Sequence, residues 1–105
     1  LEIIKIEEQE TNDFEKCLTY CLNKQFKNIL VFGLHGGLLE HSLNNWSVLN
    51  KFSKRLNLCI YENNRYSFVI DEATQLHLEE SEIVSLIPQT YLKVKTENLK
   101  WELNN

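Results

Sequence analysis

Every glycine in this chain lies between residues 33 and 37, directly after the apolar run Ile29-Leu30-Val31-Phe32 and before a helical pattern that begins near Leu39. Glycine tolerates a positive φ and lets another group approach the main chain closely. A strand, a glycine turn and a helix start in series therefore point to an α/β step, with room for an anionic ligand at the helix N-terminus. Asp13, Glu40 and His41 are the polar groups expected beside it.

The flanking patterns extend that step. Leu1 to Ile6 alternates loosely, as a short strand does, and Asn12 with Glu15 three residues on has capping-box spacing. Phe14, Cys17, Leu18, Cys21 and Leu22 recur at helical intervals and form one apolar stripe. Ile29 to Phe32 fits a buried parallel strand. Leu39, Leu43, Trp46, Leu49, Phe52 and Leu56 predict a second helix from about Leu39 to Leu56, and Lys51, Lys54 and Arg55 suit its C-terminus.

From Asn57 the texture changes to short strands: Leu58 to Tyr61, Tyr66 to Ile70, Gln75 to Leu78, Ile83 to Ile87 and Leu92 to Lys95. Asn63-Asn64 reads as the turn between the first two, because Asn tolerates the left-handed region, and Pro88 closes the fourth. The fold class expected is α/β followed by all-β: a partial doubly wound parallel domain over 1–56, joined to a partial β-sandwich over 57–105.

With 105 residues, 43% hydrophobic and 25% charged, the chain has the composition of an ordinary globular domain. A net charge of −4 without a basic cluster leaves no electrostatic footprint for nucleic acid. No apolar run approaches the roughly 20 residues that span a bilayer. Cys17, Cys21 and Cys59 are an odd count without zinc spacing, and are expected as buried free thiols of a reducing, cytoplasmic compartment. The chain begins at Leu1 and contains no methionine, so it is expected to be a piece of something longer.

The chemistry of the turn has two readings. Gly33-Leu34-His35-Gly36-Gly37 lacks the Lys-Ser/Thr pair of a P-loop and the full dinucleotide fingerprint, so it is either a tight strand-to-helix connection or a ligand site at the carboxyl end of a strand. Asp13 and Glu40 are either a carboxylate pair for Mg²⁺ beside phosphate-accepting amides or acidic residues favouring helix N-termini. His41 stands without a partnering nucleophile and reads as a structural histidine. Trp101 is an aromatic face for a heterocycle or a packing residue.

In order, Asn12-Asp13-Phe14-Glu15-Lys16-Cys17-Leu18, Gly33-Leu34-His35-Gly36-Gly37-Leu38-Leu39-Glu40-His41-Ser42-Leu43-Asn44-Asn45, Val84-Ser85-Leu86-Ile87-Pro88 and Asn98-Leu99-Lys100-Trp101-Glu102-Leu103 resemble thiamin pyrophosphokinase. Members carry patterns like T-D-x-x-K-A-L, G-x-x-G-G-R-x-D-H-T-L-x-N, S-L-I-P and G-L-K-W-x-L. The resemblance runs over almost the whole chain.

It implies transfer of pyrophosphate from ATP to the thiamin hydroxyl, giving thiamin diphosphate and AMP with Mg²⁺, in a homodimer whose active site lies between subunits. It also implies an α/β catalytic domain with a thiamin-binding C-terminal β-sandwich. By the same resemblance Asp13 is the metal-binding and catalytic aspartate, and Glu40 stands where the family has a second aspartate. Gly36 and Gly37 face the ATP phosphates, while Trp101, Ser85 and Asn45 lie on the substrate.

Departures from the pattern matter equally. Leu38 occupies the arginine position and removes a charge-assisted contact worth about 1.5–3 kcal/mol. Glu40 is one methylene longer than aspartate, a displacement of about 1 Å that can cost on the order of 10²-fold in rate. Asn12 replaces threonine and Asn98 replaces glycine. The family's early Gly-Asp-x-Asp-Ser segment has no counterpart, nor do the last sandwich strands, so this chain is expected to be inactive alone. The alternative is a thiamin-binding or regulatory relative without phosphoryl chemistry.

Overall fold

The computed structural model describes residues 2–34 and 36–104, so Leu1 of the expected first strand and His35 of the glycine turn lie outside the described residues. The chain divides into two compact units, Leu1–Thr74 and Gln75–Asn105.

Helix α1 spans Asp13–Asn23. It starts where the capping spacing predicts: the Asn12 side chain accepts from the Glu15 N–H at 2.8 Å. The Glu15 carboxylate pairs with Lys51 of the second helix, tying the two helices together. The helix ends in a Schellman motif, with Phe26 N–H on the Cys21 carbonyl and Gln25 N–H on the Leu22 carbonyl, both at 3.0 Å. Gln25 takes φ 63° in that motif, a conformation usually left to glycine.

Strand β1 covers Asn28–Phe32, helix α2 Leu39–Phe52, strand β2 Asn57–Glu62 and strand β3 Arg65–Ser67. β1 and β2 pair in parallel from Asn28↔Asn57 to Phe32↔Tyr61. α2 is thus the crossover of a βαβ unit. β2 and β3 form an antiparallel hairpin closed by Asn63 and Asn64 at φ 51° and 58°. Positive φ at both central residues is the signature of the hairpin turn that matches strand twist, as the Asn-Asn pair predicts. The result is a three-stranded mixed sheet, a small α/β arrangement.

Leu18, Val48, Leu49, Phe52, Leu56, Leu58 and Ile60 form the buried core, with Phe14, Leu22, Ile29, Val31 and Trp46 packed against it. Both helices contribute to this cluster, so they cover one face of the sheet. On the other face Leu30 and Phe32 remain 52% and 65% exposed. There Tyr61 meets Phe32 edge-on at 5.7 Å and Tyr66 at 4.9 Å.

Several expectations need correction. Among the described residues the segment before Asn12 is unpaired rather than a strand, because a strand needs a neighbour for its backbone groups. α2 stops at Phe52, after which Leu56 N–H bonds the Phe52 carbonyl and its side chain drops into the core. The start of its apolar stripe is uncovered: Leu39 and Leu43 are 71% and 60% exposed, and burial is confined to Val48, Leu49 and Phe52. β1 is half-buried on alternate residues rather than enclosed. Cys17 is exposed and Cys21 and Cys59 are intermediate, so the three free thiols are not core residues.

The strand Asn57–Glu62, expected to open the all-β part, lies in the same sheet as β1, and the first compact unit continues to Thr74. Of the later strands expected in the sequence, none of those at Gln75 to Leu78, Ile83 to Ile87 or Leu92 to Lys95 forms. Among the described residues the second unit shows only a bridge between Lys95 and Asn104. Short strands need cross-strand partners and a covered face, and this segment supplies neither.

Candidate functional site

At the carboxyl end of β1 the chain enters the glycine turn, where Gly33, Gly36 and Gly37 have φ of 69°, 116° and 78°. Side-chain-bearing residues rarely adopt these values, which explains why all the glycines fall here. A Cβ built on any of them meets nothing within 4 Å, so the turn is open on its outer side. Leu38 then takes the N-cap position of α2 in extended conformation and offers no side-chain cap. The first amides of α2 therefore lack the satisfaction that a Ser or Asp would supply.

Three sequence-distant segments meet at this edge. Asn12 donates through Nδ2 to Asn45 Oδ1 at 3.0 Å, and Asn45 Nδ2 donates to the Leu34 carbonyl at 3.3 Å. The start of α1, the glycine turn and the middle of α2 are thereby joined by side-chain amides. Asp13 is the first residue of α1 and Glu40 stands in the first turn of α2, both exposed. Gly36 and Gly37 are exposed between them in sequence. Asn45, expected on the substrate, has its amide engaged by Asn12 and Leu34. The mid-helix asparagine was the sequence signal for this link, since Asn is a weak helix former and a good local hydrogen-bonder.

Trp101 and Ser85 belong to the second unit. Trp101 is 77% exposed with the Lys100 ammonium 4.6 Å from its ring centroid. Ser85 is exposed in irregular backbone. Next to Trp101 in sequence, Glu102 accepts from the Thr96 hydroxyl at 2.7 Å and the Leu99 N–H at 2.8 Å. These bonds hold its carboxyl below the ordinary glutamate range, the Thr96 bond contributing most. In the first unit, Glu8 is lowered by its Thr11 hydroxyl bond, while burial and then the neighbouring Cys17 push the Cys21 thiol up.

The described residues contain no group of three or more His, Cys, Asp or Glu side chains placed to hold a metal. Two exposed carboxylates at helix starts do suit Mg²⁺ in the form that keeps its waters and takes substrate phosphates, rather than a dedicated protein cage. A second feature lies at the opposite end of the strands: an open hollow of about 480 Å³ lined by Ser53, Asn57, Cys59 and Phe68 among others. Nothing in the sequence pattern signals it.

Among the described residues no helix is long and apolar enough to cross a membrane. No curated protein and no solved structure matches the chain. The family described as thiamin pyrophosphokinase, catalytic domain, matches residues 1–61, which takes in α1, the glycine turn, α2 and nearly all of β2. With more than half its length matched, including both carboxylates and the open glycine turn, the chain belongs to the thiamin pyrophosphokinase family.

Proposed function

We propose that this chain is part of a thiamin pyrophosphokinase that transfers the pyrophosphoryl group of ATP to thiamin, giving thiamin diphosphate and AMP. The observation that carries the reading is the hydrogen-bonded junction of Asn12, Asn45 and Leu34, which gathers the Asp13 helix start and the glycine turn at the carboxyl end of a parallel strand. Ligands of open α/β sheets bind at such ends.

In this reading the amides of the turn and of the uncapped α2 start donate to polyphosphate oxygens. Asp13, with Glu40 beside the turn, would hold Mg²⁺, which supplies charge neutralisation on the phosphates when bound. The thiamin hydroxyl oxygen forms a bond to the β-phosphorus while the bond from that phosphorus to the bridging oxygen breaks, AMP leaving with that oxygen and the hydroxyl proton passing to solvent. The chain's own contribution is alignment and charge balance. In this reading Ser85 and Trp101, both in the unit that begins at Gln75, contact thiamin, and two copies build the site between them.

Leu38 favours a second reading, a thiamin-binding relative without phosphoryl chemistry, because an exposed leucine stands where the family pattern places a phosphate-binding arginine. Calorimetry on the full-length protein with thiamin and with Mg-ATP separately decides. Binding of both, with formation of AMP when they are combined, supports the kinase. Thiamin binding alone supports the relative, and binding of neither leaves a structural domain.

A further inference from the structure

Gly33, Gly36 and Gly37 are exposed, and a Cβ built on any of them meets open space. The Leu34 side chain packs against the core, and the Asn45 side chain reaches the Leu34 carbonyl from α2. Asn45 is half-buried in α2 and uses both ends of its amide: Nδ2 on the Leu34 carbonyl, Oδ1 on Asn12 Nδ2. Asn12 in turn serves two partners from two atoms, since its Oδ1 caps α1 through Glu15 N–H while its Nδ2 reaches Asn45. Threonine, which the family pattern has at this position, can cap with its one oxygen but has no amide to bridge onward.

We propose that Asn45 is the positioning residue of the glycine turn, holding Leu34 directly and locking it through Asn12 to the helix start that carries Asp13. It acts through the turn instead of touching substrate. That the turn receives polyphosphate rests on the function proposed above; the holding itself does not.

The test uses the full-length protein with Asn45→Asp, which keeps an oxygen for Asn12 and loses the donor to Leu34, and Asn12→Thr, which keeps the cap and loses the bridge. Backbone nitrogen order parameters are read at Leu34, Gly36 and Gly37, with amide hydrogen exchange along α1 and β2 for reference. The order parameters of the turn are expected to fall in Asn45→Asp toward the flexible range below about 0.6, and to fall less in Asn12→Thr, with α1 and β2 protection kept. Mg-ATP affinity should fall in parallel and thiamin affinity should hold.

Unchanged order parameters at the turn in the folded variants overturn the proposal. So does a uniform loss of protection across α1 and β2, which marks general destabilisation. If Asn45→Asp does not fold, Asn12→Thr decides by the same order-parameter readout. If the wild type binds no Mg-ATP while the variant turn still loosens, the polyphosphate reading falls and the positioning role stands.

Discussion

Truncating Leu18 to alanine should release α1 from the first unit while leaving the β1–β2 pair in place. Leu18 is 1% exposed and is the buried residue of α1, set against the α2 and sheet residues of the core. The change removes roughly three methylene equivalents at ~0.8 kcal/mol each. The unfilled space raises the usual cost of a buried Leu→Ala change to about 2–5 kcal/mol. About 3 kcal/mol is expected here, on the order of a hundredfold in the docking equilibrium. A helix of 11 residues falls below the roughly 12–15 that hold structure alone, so undocked α1 should also unwind.

Hydrogen exchange in the full-length protein reads this directly: α1 amides should exchange on the order of a hundredfold faster while β2 keeps its protection. Exposed Cys17 is the control, and Cys17→Ala should stay within about 0.5 kcal/mol by urea unfolding. The reasoning is refuted if Leu18→Ala costs less than about 1 kcal/mol, or if α1 and β2 lose protection together.

Gln25→Gly should stabilise the protein by about 0.5–1 kcal/mol in urea unfolding, because Gln25 holds φ 63° in the α1 C-cap; a destabilising result would mean its side chain matters more than its backbone. Leu38→Arg should strengthen Mg-ATP binding about tenfold in calorimetry and leave thiamin binding alone, and no gain would count against phosphate contact at that position. Because the folded Glu102 carboxyl lies below its unfolded value, its contribution is present above the unfolded pKa and is lost as pH falls through the folded one. Carboxyl NMR should therefore show Glu102 titrating below an ordinary glutamate and moving part of the way back in Thr96→Val, where the Leu99 N–H bond remains. An ordinary titration in the wild type would remove the Thr96 bond from the account.

What the sequence alone determined is local. Asn12 ahead of Glu15, the Asn63-Asn64 hairpin turn, the glycines before α2 and the stripe centred on Leu18 each act through bonds or dihedrals within a few residues. These could be read directly, and so could the family motifs that run through them. What depends on partners was decided only by the tertiary structure. Gln75 to Leu78 and Ile83 to Ile87 read as short strands, but among the described residues no neighbouring strand pairs with them. Leu39 and Leu43 continue the stripe of α2 yet remain exposed, because the core lies under its second half. The family resemblance expects Asn45 on the substrate, and the fold adds bonds from its amide to Asn12 and Leu34 that periodicity does not show. Periodicity shows which residues seek burial or a partner, and only long-range packing settles which of them find one.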